Sequence, residues 1–110
     1  MDETFVVTRD KLDPGTVRIA GRAPRARQAD LAEALSREAR RGIRRLDLTG
    51  LDMLNPATAE VLLVLAAEVE LELLVRAGGS LARKVRQFGL DSLAAVRDLP
   101  AASGWVAASA

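Results

Sequence analysis

Three carboxylates lie near one another in mid-chain, Asp47, Asp52 and Glu60, and paired carboxylates are what general acid and base chemistry requires. Asp47 falls in a strand-like stretch and Asp52 in a loop, with no other catalytic residue type beside them. The chain contains no histidine and no cysteine. The commonest general base and the commonest metal ligand are therefore absent, and neither a disulfide framework nor a thiolate metal site can form. An enzyme is the least expected reading, and no catalytic residue, metal or cofactor is assigned.

Hydroxyls and basic residues offer other chemistry. Thr58 stands where a helix should take its first turn, which makes it a candidate phospho-acceptor, although a hydroxyl there commonly bonds its own backbone. Gly78-Gly79-Ser80 precedes a second helix and resembles the start of a phosphate cradle, but on its own it reads as an ordinary turn. Arg40, Arg41, Arg44 and Arg45 form the densest basic cluster. At a helix end such residues complement the dipole in solvent, or else they meet an anionic partner. The net charge of +1 gives no reason to expect nucleic acid.

The elements holding these residues are organised around residues 46–65, LDLTGLDMLNPATAEVLLVL. Leu46 and Leu48 alternate with Asp47 and Thr49 as in a strand, and Gly50 then permits a backbone conformation that other residues resist. Asn55 is a good N-cap and Pro56 suits the first helical turn, so a helix should start at Pro56. Its body is apolar on nearly every side apart from Thr58 and Glu60, which predicts packing against a sheet and against other elements.

Before this unit, residues 4–10 (TFVVTRD) and 16–20 (TVRIA) predict two strands joined by the turn KLDPG, with Val17 and Ile19 inward and Thr16 and Arg18 outward. Residues 21–27 (GRAPRAR) form a basic loop, and residues 28–41 an amphipathic helix with Leu31, Ala34, Leu35 and Ala39 on one face, ended by Gly42. Residues 43–49 are the third strand and residues 69–76 (VELELLVR) the fourth. Ser80 is expected to cap a further helix running to about Phe88, and Gly89 to stop it. Residues 94–99 fit a short edge strand or a helical turn. Residues 101–110 read as a loose tail on a single domain of residues 1–100. The β-β-α-β-α-β-α order predicts an α/β fold, a four- to five-stranded mixed sheet with helices packed on it.

A strand ending in Asp47-Leu48-Thr49-Gly50, a few apolar residues and then a capped helix resembles the signature of the STAS domain, the family of anti-anti-sigma factors and of sulphate transporter tails. Leu51, Met53 and Leu54 fill its apolar positions, and Gly89-Leu90 is similar to its closing segment. Asn55, Pro56, Ala57 and Thr58 fall where the family has Asp-Ser-Ser-Gly, so the phosphorylated serine is matched by Pro56, which has no hydroxyl, and the preceding acid by Asn55, which has no charge. In the loop where the family has Gly-Glu-Leu-Asp stand Gly21, Arg22, Ala23 and Pro24. The resemblance spans residues 5–99 and implies a domain that binds protein through Asn55, Pro56, Ala57 and Thr58, through Gly21, Arg22 and Arg25, and through Ser80.

The implied function is that of an anti-sigma factor antagonist-like domain, acting in partner switching or in a larger signalling complex that regulates transcription. Its partner would be a kinase-like anti-sigma factor or an ATPase subunit, with a homodimer also open. Two further classes remain: an accessory subunit of an ABC-type lipid or anion transporter, and a small-ligand sensor in which Arg22, Arg25 and the amides at Ala57 and Thr58 hold a nucleotide or another anion. No apolar run reaches the roughly 20 residues that span a bilayer, and the start MDETFVV lacks the form of a signal peptide. A bacterial cytoplasmic protein is expected, with no direct membrane insertion.

Overall fold

The computed structural model describes residues 5–100; Thr4 and the expected tail at 101–110 lie outside them. Two short apolar runs separated by Asp-Pro-Gly fold back on each other as β1 (Phe5–Arg9) and β2 (Thr16–Gly21), an antiparallel pair. Thereafter strands alternate with helices: α1 (Gln28–Arg40), β3 (Arg45–Leu51), α2 (Pro56–Glu68), β4 (Glu72–Arg76), α3 (Ser80–Gln87) and β5 (Ala95–Leu99). Each helix returns the chain across the sheet, which is what parallel pairing demands. The sheet has the order β1-β2-β3-β4-β5, and β2 to β5 are all parallel. The fold is thus α/β, a five-stranded mixed sheet with three helices packed on it, and residues 95–99 take the strand alternative at its edge.

Alternate residues of a strand face opposite sides of a sheet. On one side Val17 and Ile19, Leu46 and Leu48, and Leu73 and Val75 are fully buried, and they share one core with Leu31 and Leu35 of α1, Leu62 and Leu65 of α2, and Val85 of α3. All three helices therefore cover the same face. The opposite face carries Arg18, Arg45, Asp47, Glu72 and Arg97, joined across strands as Arg18–Asp47 at 3.3 Å, Arg45–Glu72 at 3.1 Å and Arg97–Glu72 at 3.3 Å. Parallel sheets are commonly covered on both faces. Here charge pairs, two of them in register and the third diagonal, make the bare face compatible with water.

Several local expectations are corrected. Gly50 lies inside β3 with no positive φ; what it supplies is room, because a Cβ there would stand 3.1 Å from that of Ala20 on the neighbouring strand. This close approach coincides with a register shift between Arg18 and Ala20. Thr16 shares the outward face with Arg18 as expected but is covered there, its hydroxyl donating to the Asp13 carboxylate at 2.7 Å. The fourth strand starts at Glu72 and not at residue 69, because Val69 closes α2 by donating to the Leu65 carbonyl. Ser80 is the first residue of α3, and the cap is the extended Gly79 with no side-chain bond.

Candidate functional site

The parallel arrangement decides what meets what. The carboxyl ends of β2, β3, β4 and β5 share one edge of the sheet, and the connections after three of them lead into the amino-terminal ends of α1, α2 and α3 there, the edge at which α/β folds commonly bind. At this edge Gly21, with φ of 91°, turns the chain out of β2, and its carbonyl accepts from the Asp52 amide at 2.7 Å. The basic loop after β2 is thereby tied to the loop that leads into α2.

Asn55 makes the tie rigid. Its Oδ1 accepts from the Thr58 amide at 2.8 Å, as a helix cap should, while its Nδ2 donates to the Ala23 carbonyl at 3.2 Å. Gln28, at the start of α1, donates from one Nε2 to the same Ala23 carbonyl at 2.6 Å and to the Thr58 hydroxyl at 2.9 Å. Ala23 itself is buried. The loop 21–25, the first turn of α1 and the first turn of α2 are thus one hydrogen-bonded unit. On its surface Arg25, Asn55, Pro56 and Ala57 line a shallow hollow of about 310 Å³, with Pro56 and Arg25 exposed.

The expected residues divide accordingly. Gly21, Asn55, Pro56, Ala57 and Arg25 come together, and Arg22 lies exposed in the same loop. Neither Arg22 nor Arg25 has an ion-pair partner among the described residues, and with the positive end of the α2 dipole they give this patch an excess of positive charge. Ser80 lies at the same sheet edge, but no hydrogen bond joins it to the unit among the described residues. Thr58 is 1% exposed, its hydroxyl facing Gln28 rather than solvent. A modifying enzyme would reach that hydroxyl only by opening the first turn of α2.

The amides of that turn are largely spent. Pro56 has none, the Thr58 amide goes to the Asn55 side chain and the Ala59 amide to the Asn55 carbonyl. Of the two amides expected to hold an anion, that of Thr58 is engaged and that of Ala57 remains, beside Arg25. The three carboxylates do not converge either: Asp47 accepts from the Thr49 amide and hydroxyl and faces Arg18 on the bare side of the sheet, whereas Asp52 and Glu60 are exposed elsewhere. No group of acids among the described residues has the arrangement of a metal site. The basic cluster is dispersed as well, with Arg45 held by Asp13 at 3.0 Å and by Glu72, and Arg41 facing Glu38 at 3.9 Å.

Gln28 and the Ala23 carbonyl were not among the expected site residues. A glutamine opening an amphipathic helix carries no spacing signal, and a backbone carbonyl carries none at all. No protein-family model matches the chain, and neither does any curated protein.

Proposed function

We propose that the chain is a non-catalytic, protein-binding domain of STAS-like type that acts as an anti-sigma factor antagonist does, in a cytoplasmic partner-switching or signalling complex, without phosphorylation at the usual serine position. One observation carries the reading: the double bond of Asn55, to the helix turn on one side and to the Ala23 loop on the other, holds two loops as a single preformed surface around the exposed Pro56. A preformed surface loses little conformational entropy on docking, which favours binding without a triggering modification. Pro56 cannot take a phosphate, and the buried Thr58 hydroxyl accepts from Gln28, so the docking surface stays permanently competent. The bare cations Arg22 and Arg25 suit a partner that presents acidic side chains.

The test is a pull-down with the wild-type domain and a Pro56→Glu variant, each checked by circular dichroism and intact mass. Glutamate is acceptable in the first turn of a helix, so the fold should persist. The expected result is a partner retained by the wild type and lost by the variant, a kinase-like anti-sigma factor or an ATPase subunit. Retention of the same partner by both proteins would place docking elsewhere and refute the assignment. Recovery of a transporter ATPase in place of a signalling kinase would move the same surface to the transporter-accessory class.

A further inference from the structure

α2 is apolar around most of its circumference; the core buries Thr58, Ala59, Leu62, Leu65 and Ala66 fully and Val61 and Leu63 in part, which leaves Val64 outside it. Beside α1 it leaves an open groove of about 330 Å³. Its floor is formed by Ala32 and Leu35 of α1 and by Val61 and Val64 of α2, and its rim by Glu60 and Glu68. Val64 is 55% exposed there. The spacing of the α2 residues, three or four apart, makes one continuous stripe, and α1 forms the other wall with the half-buried Ala32 and Ser36 over the buried Leu35. Among the described residues no third helix closes this seam, which is open to a helix from outside.

The polar groups of the groove say what that helix must carry. Glu60 and Glu68 are exposed, and neither is in an ion pair among the described residues. No residue lining the groove is a cation. At its head the Nε2 of Gln28 is fully engaged, while its Oε1 is buried without a hydrogen-bond partner. Apart from Ser36, the polar groups that the groove offers a partner are therefore the two carboxylates, negative charge beside an apolar floor. We propose that it seats an amphipathic helix of a partner protein whose apolar stripe is flanked by lysine or arginine, a helix-in-groove mode of recognition. From Ala57 to Glu68 the groove follows roughly 16 Å of α2, about three turns.

A second copy of the chain is the poorer occupant. Two antiparallel α2 helices related by a two-fold axis at Val64 set Glu60 of one copy opposite Glu68 of the other, because each lies four residues from the centre. Like charges facing in this way oppose association. The groove meets the docking surface at Gln28 and Ala57, but the inference does not rest on the proposed function, since its centre at Val64 lies eight residues along the helix from Pro56, roughly 12 Å away.

The probes are two helix-favouring peptides of about 14 residues with the same leucine stripe, one flanked by lysine and arginine and the other by glutamate, titrated into the 15N-labelled domain. The basic peptide should bind, shifting the amides of Ala32, Ser36, Val61 and Val64, and the acidic peptide should bind about tenfold more weakly or worse. Val64→Asp should abolish binding with an unchanged thermal midpoint, and Glu60→Lys with Glu68→Lys should reverse the preference between peptides. Pro56→Glu should leave the affinity within about twofold, which separates this site from the docking surface above. Equal affinity for both peptides, shifts confined to other residues, or no binding at about millimolar peptide would overturn the proposal. Sedimentation showing a dimer that protects Val64 would overturn it in favour of a second copy.

Discussion

Asn55 shows how much one side chain can organise. An aspartate would cap α2 equally well, but it has no N–H to give the Ala23 carbonyl, 3.2 Å away. The amide is thus the form that both caps the helix and ties down the loop, at the position where the STAS pattern has an acid. Asn55→Ala should lower stability by about 1–2 kcal/mol in urea denaturation, the range expected for a lost cap. It should also speed hydrogen exchange at Asp52 and Thr58, because the loops separate. A loss no greater than that of an ordinary surface substitution would mean that water replaces both bonds and that the surface is not preformed. Thr58 is the counterpart, since its burial makes it part of the same support.

At the scale of elements, the hairpin loop is joined to the sheet through Asp13. Its carboxylate accepts from the Thr16 hydroxyl at 2.7 Å, from the Gly15 amide at 3.3 Å and from Arg45 of β3 at 3.0 Å. The Thr16 bond contributes most, with help from Gly15, Arg45 and Arg44, and together they outweigh desolvation and hold the carboxyl below its ordinary value of 3.8. A lowered pKa means that the folded state favours the charged form, so the stabilisation is present above the ordinary value and is lost as pH falls through the folded one. Asp13→Asn should therefore be less stable than the wild type at neutral pH. The gap between their thermal midpoints should close progressively below about pH 4, where the unfolded carboxyl protonates. A gap independent of pH would show that shape, and not charge, matters in this loop.

For the whole molecule, the distribution of faces matters most. Helices cover one side of the sheet, and the other is left to a row in which Glu72 accepts from Arg45 and forms an ion pair with Arg97, tying β3, β4 and β5 together. Such partly exposed pairs are screened by salt. Glu72→Gln should cost about 0.5–1 kcal/mol at low ionic strength, a range set by exposed pairs acting in a small network. The cost should shrink toward zero at about 1 M salt, where the screening length is near 3 Å. A cost that persists in high salt would point to packing of the glutamate stem as the cause. No helix among the described residues is long and apolar enough to cross a membrane.

The local code was legible wherever the cause is local. Asn55 and Pro56 announce the start of α2, Gly89 with its φ of 79° ends the third helix segment, and the alternation in β2 and β3 marks their buried side, because caps, positive φ and strand period depend on neighbours in sequence. The α/β class follows from the order of those elements. Tertiary structure decided the rest. Gly50 is required by Ala20 across a strand boundary, β4 begins where β3 can pair with it, and Asn55 meets Ala23 only because β2 and β3 lie parallel and side by side. Likewise the groove beside Val64 exists because α1 comes to lie next to an α2 whose apolar surface exceeds what the core can use. Contacts between residues about thirty positions apart leave no periodic trace in either segment, so the sequence determines which elements form and only their packing determines which surfaces they share.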